Sequence, residues 1–354
     1  MKKLITKFSI LFILIFLFIF TGCGKKSETI SNGKINLLSL IPADASGVFS
    51  INFEKITKLE NFNKIVNEIN KEEKKSSLKT FKNYQDFIDK TGIDPKKDLY
   101  SIALGLYGEI EKENSDIALV INLNYNRGKI LDLFKKENKN YYEEKFNKIV
   151  IYKFSDKKNR ERCFSFIDNK IIGFGSVARV KQIIDLFNDN GKSILTDEKK
   201  KPYLSDFNPQ SVISFVFDFP EKAKKSEAQQ DSPFKMDFSK AEILWGEADF
   251  ENNIWSGKIK LISHDEEANK QIVNILNGIK GMGAMAGPEI AEILNKINLT
   301  SSTDNIELTF SIPNELLKKV QKKAEKKVKT FTTPDKSFSN ENKEVEKSEK
   351  KGNL

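Results

Sequence analysis

The sequence predicts an α+β protein of two related units, each a mostly antiparallel sheet with helices packed on one face, the two able to share one sheet. Three observations predict it. Short alternating segments such as Gly47 to Phe53, with Phe49, Ile51 and Phe53 on one side, have the period of a half-buried strand. Between them lie stretches of helical period, such as Phe81, Tyr84, Phe87 and Ile88. The order of elements in residues 39–196 then recurs, at weak identity, in residues 197–329.

In the first unit, the strand at Gly47 is followed by helical stretches over 57–70 and 78–91. Gly92 closes the second, because glycine accepts the left-handed conformation that ends a helix. Strands are expected near 100–109 and 116–125, then a helix carrying Ile130, Leu131 and Phe134. Strands near 148–154 and 162–175 follow, the last interrupted by an Asp168-Asn169 turn, since both residues tolerate positive φ. A helix near 177–188 closes the unit.

The second unit opens with Ser211 to Phe219, where Ile213, Phe215, Phe217 and Phe219 alternate onto one face. Strands near 241–250 and 254–263 are joined by Asn252-Asn253 as a tight turn. Ser263-x-x-Glu266 has the spacing of a capping box, and the helix after it carries Ala268, Ile272, Ile275 and Ile279. A strand near 305–312 comes next, then a helix with Pro313 at its first position. Val48 to Phe53 corresponds to Phe215 to Phe219, Ser101 to Tyr107 to Ala241 to Glu247, and Ile117 to Phe134 to Trp255 to Leu276.

The amino terminus is of a different kind. Lys2, Lys3 and Lys7 precede the apolar run 8–20, too short for a spanning helix and of the length of a secretory signal. Phe20-Thr21-Gly22-Cys23 resembles the bacterial lipobox, an apolar residue and two small ones before cysteine, although leucine is commoner than Phe20 at its first position. The resemblance covers residues 1–23 and implies cleavage before Cys23, lipid on its thiol and a further acyl chain on its new amino group. Two or three chains anchor stably where one is marginal. Residues 1–22 are thus read as a lipoprotein signal peptide and 23–38 as a tether. Residues 330–354, rich in Lys, Glu, Ser and Asn, are read as a disordered tail. The anchor places the chain in a bacterial envelope, facing away from the cytoplasm: on the outer membrane of a Gram-negative cell, otherwise on the outer face of the plasma membrane.

A second resemblance spans most of residues 39–328. Ile41-Pro42-Ala43-Asp44 before an alternating strand, Thr91-Gly92-Ile93-Asp94-Pro95 after a helix, and the helix with Glu266-Glu267-Ala268 are similar to uncharacterised families of bacterial secreted and lipoprotein domains. It implies the architecture and an extracytoplasmic location, and no activity or site residue.

The chemistry the chain can perform is bounded by composition. The whole sequence carries +9; without the three signal lysines it has 56 basic and 50 acidic side chains, a diffuse excess. Export argues against nucleic acid as a partner. With Cys23 assigned to lipid, Cys163 stands alone and reads as a buried thiol in a strand. There is one histidine, His264, in Ser263-His264-Asp265, where neighbouring side chains point apart and form no triad. One His and one free Cys do not make a zinc site, so neither a metal nor a cofactor is expected. Asp218, at the end of an apolar strand, is the candidate for carboxylate chemistry, and Asn52 holds the related place in the first unit, so that the two would form a paired polar site at matching strand ends. The stretch 277–288 reads as a break between helices over 265–280 and 288–297, where Gly281, Met282, Gly283 and Met285 are candidates to line an adaptable apolar groove. Residues 318–329 hold seven lysines on a final helix, read as an exposed face or a contact with anionic headgroups. The expected function is a lipid-anchored, non-enzymatic binding or scaffold protein contacting an envelope protein. A carrier or sensor of an apolar ligand is the first alternative and a carboxylate-dependent hydrolase the second.

Overall fold

The computed structural model describes residues 36–57, 84–108, 116–156, 159–208, 211–224 and 236–321. After a 3₁₀ turn at Leu37–Leu40 come β1 (Gly47–Asn52), α1 (Phe53–Ile56), α2 (Tyr84–Thr91), α3 (Pro95–Asp98), β2 (Leu99–Tyr107), β3 (Asp116–Leu123) and α4 (Arg127–Glu137). Then follow β4 (Tyr141–Phe146), β5 (Ile149–Ser155), β6 (Glu161–Phe166), β7 (Ile171–Gly175), α5 (Val177–Phe187), a 3₁₀ turn at Ile194–Thr196 and α6 (Lys201–Ser205). The remainder is β8 (Ile213–Asp218), α7 (Glu221–Lys224), β9 (Ile243–Glu251), β10 (Ile254–Ile262), α8 (Glu266–Ala284), α9 (Pro288–Asn295), β11 (Ile297–Ser301) and β12 (Asn305–Pro313).

The fold is α+β. Its described strands form one 12-stranded sheet in the order β11-β12-β10-β9-β8-β1-β2-β3-β7-β6-β5-β4. Every neighbouring pair is antiparallel. The two halves meet at the β1–β8 pair, where Phe49 lies opposite Phe215 and Ser50 opposite Ser214. Outward from that seam, β2 and β3 on one side answer β9 and β10 on the other.

The register carries one row across the whole sheet: Leu299, Leu308, Ile259, Gly246, Phe215, Phe49, Leu104, Leu119, Phe174, Phe164, Tyr152 and Glu143. Call its side the front. Because side chains alternate, the next row faces the back: Asn298, Thr309, Lys258, Glu247, Ser214, Ser50, Ala103, Val120, Gly173, Ser165, Ile151 and Glu144. The front row is almost wholly apolar. The back row is polar or charged in the second half and apolar in most of the first.

The helices follow that pattern. In α5, Val180, Ile183 and Ile184 are fully buried, in one cluster with Ile151, Cys163 and Ile171. Each such side chain contributes about 1.5–3 kcal/mol relative to exposure. In α4, Ile130, Leu131 and Phe134 pack with Tyr152, Phe164 and Phe166. Cys163 and Phe164 are adjacent in one strand and point oppositely, so the first half carries helices on both faces. In the second half Ile272 and Val273 of α8 pack with Leu261, Leu299 and Ile306 on the front.

Several local expectations are met in detail. Gly92 has φ +72° and its N–H bonds to Ile88 O at 2.7 Å, closing α2. Asn252 and Asn253 both take positive φ, 50° and 64°, as the two-residue hairpin requires. The helix expected over 57–70 and the first residues of the one over 78–91 lie outside the described residues.

Other expectations are corrected. The cap of α8 is Asp265, whose side chain accepts from Ala268 N at 3.0 Å; Ser263 Oγ turns instead to Asn269 Oδ1 at 2.5 Å, so no capping box forms. The helix does not break at residue 280: it runs through Gly281 and Gly283 to Ala284, and the chain turns at Met285 to Gly287. Pro313 ends β12, and helical residues begin at Asn314. Strands β4 and β11 were not expected, and they are the two edges of the sheet.

Candidate functional site

The back face changes character at the β1–β8 seam, and a cavity of about 540 Å³ lies there. Its floor is β8, β1 and β2: Ser214, Ser50, Asn52 and Ser101. Its apolar walls are Leu37, Leu38, Leu195, Leu204 and Phe207. The residues follow from local rules. Asn36 caps the first 3₁₀ turn by accepting from Leu38 N at 3.1 Å, which turns Leu37 and Leu38 down onto the sheet. Phe207 is placed by the turn after α6 and lies near Trp245, ring centroids 6.4 Å apart, while Trp245 Nε1 donates to Tyr203 O at 2.9 Å.

The floor is polar and its hydrogen bonds are incomplete. Ser50 and Ser214 face each other in register, and Asn52 faces Ser101 one pair along. Asn52 Oδ1 accepts from Lys55 N at 3.4 Å as the cap of α1. Ser211 Oγ lies 3.4 Å from Glu247 Oε2. The hydroxyls of Ser50, Ser101 and Ser214 have no protein partner among the described residues, although Ser214 is 3% exposed. Asn122 lies opposite Ser101, and its Oδ1 is buried with no partner among the described residues. Lys201, at the rim, is the one charged side chain of the lining among the described residues.

The sequence-derived candidates lie elsewhere. Met282 and Met285 stand at the end of α8, 50% and 87% exposed. Gly281 borders open space, and a Cβ at Gly283 would come 2.9 Å from Leu294 Cδ1, so that glycine lets α9 pack on α8. None of the four lines the cavity. Asp218 pairs with Lys199 at 3.0 Å and with Lys200 at 2.9 Å, and Asp197 also holds Lys200, whose side chain is 5% exposed. Asn52 and Asp218 are not brought together: β1 and β8 are antiparallel, so the ends that carry them lie at opposite ends of the seam. His264 takes a positive φ of 52°, and its Nδ1 lies 3.1 Å from Asp304 Oδ1 at an exposed corner. Cys163 is fully buried and free, and burial pushes its thiol up to about 12. Cys23, residues 330–354 and all but the start of the lysine-rich stretch lie outside the described residues.

A second polar cluster serves the architecture. Arg179 Nη1 reaches both carboxylate oxygens of Asp44 at 2.8 Å and its Nε reaches Asp116 Oδ2 at 3.0 Å. This fastens the Ile41-Pro42-Ala43-Asp44 segment to α5, with Ile41 fully buried. The hydrogen bonds hold Arg179 protonated, raising its pKa against the opposing effect of burial.

Among the described residues no group of three or more His, Cys, Asp or Glu side chains is placed to hold a metal, and no helix is long and apolar enough to cross a membrane.

Fold and site together define an antiparallel α+β protein with a serine-floored cavity at the seam of two similarly ordered halves. No family model and no curated protein matches the chain. Solved structures of the protein TP0453 are similar to it. Crystal form III has a TM-score of 0.48 at 10% identity, covering 81% of this chain and 97% of that one. Form IV has 0.45 at 12%, covering 81% and 96%, and form I has 0.44 at 9%, covering 80% and 96%.

Proposed function

We propose that this chain is a lipid-anchored extracytoplasmic protein of the bacterial envelope that holds a ligand or partner without transforming it. The observation that carries the reading is Phe20-Thr21-Gly22-Cys23 behind a basic start and a short apolar run. Twelve residues lie between Cys23 and Asn36, thirteen steps of the chain, so the folded body begins within about 45 Å of the acyl chains, at 3.3–3.6 Å per extended residue. Support for holding rather than transforming comes from the positions of the reactive groups. Cys163 is buried, His264 sits at an exposed corner with Asp304, and Asp218 is engaged by two lysines.

The test is to express the full chain and its Cys23→Ala variant in a bacterial host fed a radiolabelled or alkyne-tagged fatty acid. The wild type should carry label, partition into detergent and lack residues 1–22. A wild-type protein that is unlabelled, or that keeps its first 22 residues, would overturn the anchor.

Ligand carriage is favoured over scaffolding by one observation, the cavity of about 540 Å³ at the seam. Its size falls within the range of small-molecule sites. This moves the ligand reading from residues 277–288 to the back of the sheet, and from an apolar ligand to one with a polar edge.

A further inference from the structure

We infer that the seam cavity takes an uncharged, polyhydroxylated ligand of sugar type, held by Ser50, Ser214, Ser101 and Asn52 at one edge and by Leu204 and Phe207 on one flat side. The inference rests on the reading of this chain as a binding protein and names the ligand's chemistry.

Ser50 and Ser214 come from different halves of the chain and face each other across the seam. The Asn52–Ser101 pair continues the patch along the strands. Their neighbours on the same face are Val48 and Val216 on one side and Ala103 and Val120 beyond Ser50, all four fully buried, with Glu247 of β9 opposite Ser214. Ser50 and Ser101 are half-buried and Ser214 is 3% exposed, and all three line the cavity. Their hydroxyls find no partner in the protein among the described residues. Water can serve them when no ligand is bound, so a ligand that displaces it must both donate and accept hydrogen bonds to bind.

Serine hydroxyls and an asparagine amide donate and accept, and they bring no charge. Adjacent strands are about 4.8 Å apart, a spacing that lets one ligand hydroxyl bridge groups on two strands. With Lys201 alone at the rim, an anion would be poorly neutralised, and the neighbouring carboxylate, Glu247, is outside the lining and already accepts from Asn208 N and Ser211 Oγ. The walls suit the same ligand: a sugar ring has a C–H side that packs on a leucine or a phenylalanine and an edge of hydroxyls. Free sugar and the headgroup of a membrane glycolipid share this chemistry, and the short tether leaves both within reach.

The test uses the mature, lipidated chain in a sugar-free zwitterionic detergent. Glucose, N-acetylglucosamine, their β-1,4 dimers and myo-inositol are titrated calorimetrically, with glucuronate as the charged control. A second arm measures co-flotation of the lipid-free Cys23→Ala protein with phosphatidylcholine vesicles, with and without a neutral glycosyl diacylglycerol. Saturable binding in either arm is expected, weakened at least about tenfold by Ser50→Val with Ser214→Val and unchanged by Met285→Ala outside the cavity, tenfold being about 1.4 kcal/mol. The first arm alone would identify free sugar as the source, and the second alone a headgroup. Should the double variant not fold, Ser101→Ala takes its place with the same expected direction. No binding in either arm, binding that survives the serine substitutions, or a preference for glucuronate lost with Lys201→Gln would each overturn the inference. The anchor is read separately, by fatty-acid labelling at Cys23, so its failure and that of the ligand assignment are distinguishable.

Discussion

The ring of Phe217 occupies the space a side chain at Gly47 would need: a Cβ there would stand 1.9 Å from Phe217 Cδ1. The two residues face each other across the β1–β8 seam. Two more front-face rings lie over glycines of the neighbouring strand, Phe215 over Gly246 and Phe310 over Gly257, where a Cβ would come within 2.6 and 2.5 Å of the ring. The glycines leave room for the rings, and the rings cover backbone that would otherwise be bare.

Gly47→Ala should therefore lower stability by about 1–3 kcal/mol, the usual cost of overpacking a filled site. Phe217→Leu in the same chain should recover part of that loss, because the shorter side chain vacates the clash. Urea denaturation midpoints at constant slope measure both. A tolerated Gly47→Ala, or a double variant no better than the single, would show that the ring moves freely.

Arg179 lies with its guanidinium 3.5 Å from the centre of the Tyr107 ring. Tyr107 is 4% exposed and its hydroxyl has no partner among the described residues, so burial pushes its ionisation well above the usual range. The Asp44 side chain is 59% exposed, whereas that of Asp116 is 29% exposed and also accepts from Ser176 Oγ at 2.9 Å. Exposed pairs contribute little, and hydrogen bonds to less exposed charges about 1.5–3 kcal/mol. Asp116→Ala should thus cost more than Asp44→Ala in thermal unfolding, and Arg179→Lys should not restore the wild type, because an ammonium cannot serve two carboxylates and lie flat on the ring. Equal losses at the two aspartates would contradict this ordering.

The strands legible in the sequence are those with a buried side. Val48, Phe49 and Ile51 in β1 and Ile213, Phe215 and Phe217 in β8 announce themselves because the seam has neighbours on both sides. The two missed strands are the edges. In β4, Tyr-Tyr-Glu-Glu-Lys-Phe carries the charges that keep an edge from pairing further, and β11 is only five residues long. The cavity was illegible for a different reason. Ser50, Ser101 and Ser214 look like ordinary polar positions of half-exposed strands. Only the register places them side by side, and only the 3₁₀ turn at Leu37–Leu40 and the turn carrying Phe207 raise walls around them. The break between two helices expected in 277–288 is present, but it falls at Met285 to Gly287 because Gly281 and Gly283 are held in helix, the second by the packing of α9 on α8.

The start of α8 distinguishes two caps. Asp265 accepts from Ala268 N, while Ser263 and Asn269, 6% and 0% exposed, bond to each other. Asp265→Ala should cost about 1 kcal/mol, the typical loss of a cap. Glu266→Ala should cost only a few tenths of a kcal/mol, the loss of its exposed pair with Lys270, since no capping box uses it. Ser263→Ala should cost at least as much as Asp265→Ala, because Asn269 Oδ1 would lose its partner inside the protein. Guanidinium unfolding of the three variants decides, and a loss at Glu266 comparable to that at Asp265 would reinstate the box.

Cys163 makes stability depend on alkaline pH. Burial raises its thiol from an ordinary 9.0 to about 12. Between those values the unfolded chain has lost the proton and the folded one still holds it. The folded state therefore binds more protons in that window, and stability falls as pH rises through it. The contribution is fully present below pH 9.0 and is lost progressively towards about 12. Other groups also titrate there, so the measurable quantity is the difference between wild type and Cys163→Ala, which should be constant from pH 7 to about 9 and then shift against the wild type. At pH 8 the native thiol should resist iodoacetamide and react only after urea exposes it. Rapid labelling of the folded protein, or a wild-type advantage that grows with pH, would mean that Cys163 is open to solvent and that the core between α5 and the sheet is not closed around it.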